Sequence, residues 1–221
     1  TVVEPAALTV TLDSVAVVCK DGSTGSALVT VTGGTPGFNY VWNDPDSQTN
    51  STATGLFDGQ FIVTVSDANS CTITGAITVT EPTDSLLVNG DSTIVSCFGG
   101  IDGTAIANTT GGYSPYTFAW DAAASFQVVQ TATGLSAGTY DVVVTDTKGC
   151  VNNTTTVTIT QPGAITLSVS TTPVVCNGES TGTATAVHAG GVTPFTYTWE
   201  VAAASQTNQT ATGLFAGTFN V

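Results

Sequence analysis

The chain has 221 residues, of which 16 are acidic, two are lysine and none is arginine, a formal charge of −14. That charge excludes nucleic acid as an ordinary partner, because its phosphates would be repelled. No apolar stretch reaches 18 residues, so nothing in the segment reads as a membrane-spanning helix.

Along the chain one pattern is written three times. Trp42, Trp120 and Trp199 are 78 and 79 residues apart, and Gly33-Gly34, Gly111-Gly112 and Gly190-Gly191 take the same steps. Gly55-Leu56, Gly134-Leu135 and Gly213-Leu214 step by 79 and 79, and Cys19, Cys97 and Cys176 each precede their Trp by 23. Independent landmarks with one period define a tandem array. A unit this long can hold its own core, so the expected architecture is beads on a string rather than a solenoid. Boundaries fall at the prolines of "TVVEP", "TVTEP" and "TITQP", because proline cannot donate to a sheet ladder and closes the last strand. The repeats are therefore residues 1–81, 82–161 and 162–221. The third stops at Val221, in mid-strand by analogy with "GTYDVVVTD", and is expected to be truncated there.

Within each repeat the elements follow one order. An alternating run opens it ("ALTVTLD", "SLLVNGD", "AITLSVS"), and Val/Thr alternation recurs in "ITVT", "VVVTD" and "TVTIT". Period two marks half-buried strands, and turn pairs such as Gly-Gly, Asp-Gly and Asn-Gly separate them. About seven strands in about 80 residues is the pattern of an all-β, antiparallel sandwich. No spacer intervenes at the joints, which should behave as semi-rigid links.

The stretches "PGFNYVW", "PYTFAW" and "PFTYTW" form a ladder of rings: Phe38, Tyr40 and Trp42; Tyr116, Phe118 and Trp120; Phe195, Tyr197 and Trp199. Repeat 1 has only two other aromatics, Phe57 and Phe61. A buried aromatic removes roughly 150–250 Å² from water, so a ladder facing solvent would leave too little for a core. The residues between the rungs are small or polar, and on a strand rungs and gaps face opposite ways. The rings are expected to point inward, which disfavours a sugar-stacking platform. Further on, "GLFDGQF", "GLSAGTY" and "GLFAGTF" lead Phe61, Tyr140 and Phe219 into a strand, after which Asp67 and Asp146 enter a turn that delivers Cys71 and Cys150.

Cys19 and Cys71 are 52 apart, and Cys97 and Cys150 are 53 apart. No second Cys or His lies at zinc spacing from any of them. The expectation is one disulfide per repeat, Cys19–Cys71 and Cys97–Cys150, with the partner of Cys176 beyond Val221. Such bridges imply an oxidising, extracellular compartment and would each be worth on the order of 4 kcal/mol by loop-closure entropy.

No catalytic constellation is assembled. His188 is the only histidine, and Val31 and Thr109 stand at its counterparts, so it reads as a strand-surface side chain and no Ser-His-Asp set exists. Asp44 and Asp46 occur in one repeat only and read as a solvated loop rather than a glycosidase pair. Lys20 and Lys148 are not equivalent, which disfavours Lys–Asn isopeptide bonds. The segment is expected to be non-enzymatic and to need no cofactor. Acidic arrays can hold Ca²⁺ at their joints; here Glu4 and Glu81 are equivalent but the third joint carries Gln161, so charge is expected mainly to keep a dense surface layer soluble.

The order "SCFGGIDGTA…TTGGYSPYTFAW…TGLSAGTYDVVVTDTKGC…TVTITQP" resembles the SprB repeat, a family found in very large cell-surface adhesins of gliding Bacteroidetes. The resemblance spans all three repeats, the third in part. Repeats 1 and 3 depart from it in carrying Thr24 and Thr181 where repeat 2 has Asp102. The resemblance implies an immunoglobulin-like repeat, exported by a type IX route, in a secreted or outer-membrane-attached adhesin or filament serving adhesion or gliding motility. It carries over no catalytic residues. Its partners would be extracellular surfaces or polysaccharide engaged through other parts of the protein, or further copies of itself in a filament. The alternative is a carbohydrate-binding accessory module of a secreted multidomain protein. "DSV", "DSL" and "DST" resemble the Asp-Ser/Thr-apolar acceptor of Bacteroidetes O-glycosylation, which makes Ser14, Ser85 and Ser92 candidate sites.

Overall fold

The computed structural model describes residues 4–221. Repeat 1 contains six strands: β1 (Thr9–Val15), β2 (Gly25–Thr32), β3 (Asn39–Trp42), β4 (Thr52–Leu56), β5 (Gly59–Ser66) and β6 (Thr72–Val79). They form two antiparallel sheets, β1-β2-β4 and β3-β5-β6. The register places Val10 opposite Val31, Leu12 opposite Val29 and Ser14 opposite Ala27 in one sheet. In the other it places Tyr40 opposite Val65 and Trp42 opposite Val63. Alternation then delivers both inner faces to one core of Val17, Ala27, Val29, Trp42, Ala53, Leu56, Val63, Val65 and Val79.

Six strands replace the expected seven. The sheet orders correspond to A-B-E and C-F-G of an immunoglobulin-like sandwich, with the fourth strand of the first sheet missing. A loop takes its place, and a glutamine holds it. Gln48 Nε2 donates to Thr54 O at 2.9 Å, and its Oε1 accepts the Thr54 N–H at 3.0 Å. Gln127 does the same to Thr133, and Gln206 to Thr212. These side chains imitate the ladder bonds that the absent strand would supply, so the backbone groups of the neighbouring strand are not left open.

Repeat 2 carries β7 (Leu87–Thr93), β8 (Gly103–Thr110), β9 (Thr117–Trp120), β10 (Thr131–Leu135), β11 (Gly138–Thr145) and β12 (Thr155–Ile159), in sheets β10-β8-β7 and β12-β11-β9. Repeat 3 carries β13 (Thr166–Thr172), β14 (Gly182–Ala189) and β15 (Thr210–Leu214) in one sheet, β13-β14-β15. Its buried cluster is Ala184, Ala186, Trp199, Ala203, Ala211 and Leu214.

Two compact units divide the chain. One reaches to Asn89 and includes Asn108–Phe118 and Val143–Thr155; the other holds Gly90–Ala107, Ala119–Val142 and Thr156–Val221. The division runs through repeat 2. One physical reason lies inside the first unit, where loops of repeat 2 are tied covalently to repeat 1.

Candidate functional site at the repeat joints

Each repeat ends its first strand in a tight cysteine-bearing turn. In repeat 1 the Gly22 N–H donates to Cys19 O at 3.0 Å, in repeat 2 Gly100 donates to Cys97 O at 3.0 Å, and in repeat 3 Glu179 donates to Cys176 O at 3.2 Å. The N–H before each cysteine is held by a side-chain oxygen six residues on: Val18 N by Thr24 Oγ1 at 2.8 Å, Ser96 N by Asp102 Oδ1 at 3.0 Å, and Val175 N by Thr181 Oγ1 at 3.0 Å. Threonine and aspartate serve alike here because the turn needs one acceptor and no charge. Asp102 is thus a turn-holding residue, and its carboxyl lies below its ordinary pKa because Ser96 donates to it.

The second cysteine sits on a different loop, organised by a buried aspartate. Asp67 is 5% exposed and accepts the N–H groups of Thr35 at 3.0 Å, Asn69 at 2.9 Å and Cys71 at 2.9 Å. Asp146, also 5% exposed, accepts those of Tyr113 at 3.0 Å, Lys148 at 2.8 Å and Cys150 at 2.9 Å. The Thr35 N–H, followed by that of Cys71, holds Asp67 below the usual carboxylate range. For Asp146 burial pushes upward, and the N–H donors of Tyr113, Cys150 and Lys148 outweigh it. One carboxylate thereby fixes the Gly-Gly turn and the cysteine loop to each other.

The Gly-Gly turn in turn seats on the segment that enters the repeat. A Cβ at Gly33, Gly111 or Gly190 would stand 1.9, 2.1 or 2.0 Å from the carbonyl oxygen of Ala7, Ser85 or Ala164, and all three have φ near +70°. Only glycine satisfies both conditions.

These placements decide the disulfide. Cys19 follows β1 at the end of the sandwich where Val17 N–H bonds Thr80 O, next to the exit from repeat 1. Cys71 lies at the entrance end, where Gly34 N–H bonds Ala6 O and Asp67 lies beside Gly34. The length of β1 separates them, roughly 20 Å for seven extended residues, and cysteines whose Cα atoms are more than about 7 Å apart do not bridge. The expected pairs Cys19–Cys71 and Cys97–Cys150 are therefore corrected. Cys19 is joined instead to Cys150 of the following repeat, with Cα atoms 5.6 Å apart and a sequence separation of 131. Cys71, Cys97 and Cys176 are free and exposed.

The exit of repeat 1 is fastened further by Glu81. Its carboxylate accepts Lys20 Nζ at 2.8 Å and the Asp21 N–H at 2.7 Å. Lys20 holds Glu81 below its ordinary pKa, and Glu81 raises that of Lys20. At the exit of repeat 2, Gln161 Oε1 accepts the Gly99 N–H at 2.7 Å, so a neutral amide fills the same place. Glu81, considered above for calcium, is thus engaged by protein donors, and Glu4 is exposed. No group of three or more His, Cys, Asp or Glu gathers among the described residues in a way that could hold a metal.

The ring ladder lies within the sandwiches. Trp42, Trp120 and Trp199 are 1%, 3% and 1% exposed, and their indole N–H groups donate to Asn50 O, Val129 O and Asn208 O at 2.9, 2.8 and 3.0 Å. Phe38, Tyr40, Tyr116, Phe118, Phe195 and Tyr197 are half-buried, and the residues between the rungs are exposed. Tyr116 Oη donates to Gly111 O at 2.7 Å, tying the ladder to the Gly-Gly turn.

Two side chains differ from expectation. Asp44 is buried rather than solvated, and it accepts the Gln48 N–H and Gln48 Nε2, both at 2.9 Å. Burial raises its pKa, but the donors of Gln48 outweigh that and leave it lowered. His188 is half-buried rather than a bare strand-surface group: its ring lies 4.0 Å from that of Phe195, and its Nδ1 is 3.0 Å from Tyr197 Oη. Of the three candidate glycosylation serines, Ser14 and Ser92 donate their hydroxyls to Thr78 O at 3.1 Å and Thr158 O at 2.9 Å. Ser85 is half-buried beside Gly111.

Sequence alone does not mark out the glutamines that replace the missing strand, and it aligns Thr24, Asp102 and Thr181 without revealing that they hold the cysteine turns. The signal of the glutamines was present, since Gln48, Gln127 and Gln206 step by 79 and 79.

A core of paired antiparallel sheets, a ring ladder turned inward and cysteines at opposite ends define the class: tandem β-sandwich repeats of immunoglobulin-like topology, the first two joined by a disulfide. The SprB repeat family matches residues 11–47, 89–125 and 168–203, and the chain belongs to it as three SprB repeats. Comparison with curated proteins gives no match. Among solved structures, the fibronectin(III)-like modules of Clostridium thermocellum CbhA are 16% identical with a TM-score of 0.28, covering 69% of this chain and 95% of that one. Extracellular domains 3-5 of Drosophila OTK are 11% identical with a TM-score of 0.31, covering 89% and 80%. Likeness at this level leaves the fold to rest on the strand order itself. SprB repeats in tandem with a disulfide between them are the make-up of a repeat segment of an extracellular, cell-surface protein. No helix among the described residues is long and apolar enough to cross a membrane.

Proposed function

We propose that residues 1–221 are a structural segment of a large secreted cell-surface adhesin or filament, a stalk or fibre exported by a type IX route and serving attachment or gliding motility. The observation that supports the reading most directly is the Cys19–Cys150 bond, which fastens one repeat to the next instead of closing a single repeat. A module whose task is to bind a ligand has no need to be fastened to its neighbour; a load-bearing stalk does. The inward ring ladder supports the same reading, because it leaves no row of aromatics for sugar stacking. The exposed rings Phe57 and Phe215 are counterparts, but repeat 2 has Ser136 there, so no shared platform recurs. Adhesive contact then belongs to other parts of the polypeptide, and the segment itself needs no cofactor.

The test has two arms. An antibody raised against residues 1–221 should label intact cells, and deleting the segment should shorten surface filaments seen by electron microscopy and reduce attachment. The purified chain should be retained by no polysaccharide on a glycan array. Retention that disappears on Phe57→Ala while the fold persists would overturn the stalk reading in favour of a carbohydrate-binding module.

A further inference from the structure

We infer that the bond between Cys19 and Cys150 is one rung of a staggered ladder, in which the first cysteine of every repeat pairs with the second cysteine of the repeat that follows. The occupant of each free thiol is thus a neighbouring SprB repeat of the same polypeptide. Cys97 takes the second cysteine of repeat 3, Cys176 that of the repeat after it, and Cys71 the first cysteine of a repeat preceding residue 1. The inference concerns how repeats are joined and does not depend on an adhesive role.

Both halves of the rung keep one backbone arrangement in the repeats that carry them. Cys97 stands on the same turn as Cys19, and its exit residue Gln161 grips the Gly99 N–H as Glu81 grips that of Asp21. Cys71 stands on the same aspartate-held loop as Cys150, with the cysteine N–H 2.9 Å from the carboxylate in both. All three free thiols are exposed. Independent support comes from a cavity of about 410 Å³ at the exit of repeat 2. Cys97 and Phe98 line one side, Pro162 and Ile165 the linker, and Gly191 and Val192 the far side. Gly191 and Val192 are the counterparts, 79 residues on, of Gly112 and Tyr113. In repeat 2 Tyr113 is bonded to Asp146, the residue that holds the Cys150 loop. The space beside Cys97 is therefore bounded by the turn to which an aspartate-held cysteine loop of repeat 3 would be fastened.

Closing a rung removes one proton and one electron from each thiol and forms the S–S bond. The acceptor is an exchangeable disulfide, such as an oxidised dithiol oxidoreductase or oxidised glutathione, which is reduced to two thiols.

Val221 is the counterpart of Val142, so a copy of residues 143–161 appended to it continues repeat 3 through its second cysteine. The extended chain, refolded with oxidised and reduced glutathione, would be alkylated and mapped without reduction. Cys97 should lose its alkylation and appear linked to the appended cysteine, while Cys19–Cys150 forms as before. A Cys97 that stays alkylated beside an intact Cys19–Cys150, or an appended cysteine linked to Cys176, overturns the ladder. A second variant, Cys150→Ser in the 221-residue chain, guards against misfolding of the extension. Cys19 should then stay fully alkylatable, and a Cys19–Cys71 link would refute the placement of the two thiols at opposite ends.

Discussion

The carboxylate of Asp146 accepts the backbone N–H of Cys150 at 2.9 Å, so a buried acid four residues earlier sets the direction of the cross-repeat thiol. In Asp146→Asn one oxygen becomes an amide that faces the Tyr113 N–H donor to donor. Hydrogen bonds to a charged acceptor are worth about 1.5–3 kcal/mol each, so a loss of about 2 kcal/mol is expected. Denaturant unfolding measures the loss, and partial reduction followed by alkylation should show Cys19 and Cys150 opening sooner than in the parent chain.

Trp120→Ala should cost about 3–5 kcal/mol, through the cavity and the unpaired Val129 carbonyl it leaves. Ile101→Ala, at a side chain 69% exposed, should stay within about 0.5 kcal/mol of the parent. Equal losses at the two positions in thermal unfolding would contradict the inward ladder.

Acid should loosen the molecule in a definite order of cause. Asp44, Asp67, Asp102, Asp146 and Glu81 all have folded pKa values below their ordinary ones. A lowered carboxylate contributes stability that is present above the unfolded value, about 4, and is lost as pH falls through the folded value. The melting temperature should therefore be flat near neutrality and fall below pH 4. Lys20, raised by Glu81, behaves oppositely: its contribution is present below its ordinary value and is lost only as pH rises through the folded one.

Gly111 and Gly149 both have positive φ, yet their alanine variants should differ. Gly149 has open space around it, so Gly149→Ala costs only the left-handed backbone penalty of about 1–2 kcal/mol. Gly111→Ala adds a contact 2.1 Å from the Ser85 carbonyl and must displace the segment entering repeat 2. Its unfolding free energy should fall further than that of Gly149→Ala.

Tyr140 donates its hydroxyl to Ser136 O at 2.8 Å, where repeats 1 and 3 have Phe61 and Phe219. Tyr140→Phe should remove about 1 kcal/mol, the usual net worth of one hydrogen bond, with the fold unchanged by circular dichroism.

The sandwich, its period and the inward rungs were legible in the sequence because alternation and aromatic supply are local facts. The cysteine partner was not. A separation of 52 within a repeat and of 131 across a joint differ by one period, so spacing alone cannot choose between them. The choice is made by which end of the sandwich each loop occupies, a three-dimensional fact set by the direction of β1. The roles of Gln48 and Thr24 were hidden for another reason: a polar residue on a loop looks the same in a sequence whether it faces water or closes a backbone gap. The burial of Asp44 was hidden likewise, since its donors come from Gln48.

Under tension, the Cys19–Cys150 bond short-circuits the chain. Force arriving at Cys19 crosses to Cys150 through two sulfurs, and the intervening polypeptide is relieved of load. Pulled straight, that stretch of 131 steps would lengthen the molecule by on the order of 440 Å. Oxidised, it adds almost nothing, so the redox state of one bond sets whether this part of the chain behaves as a rope or as a spring.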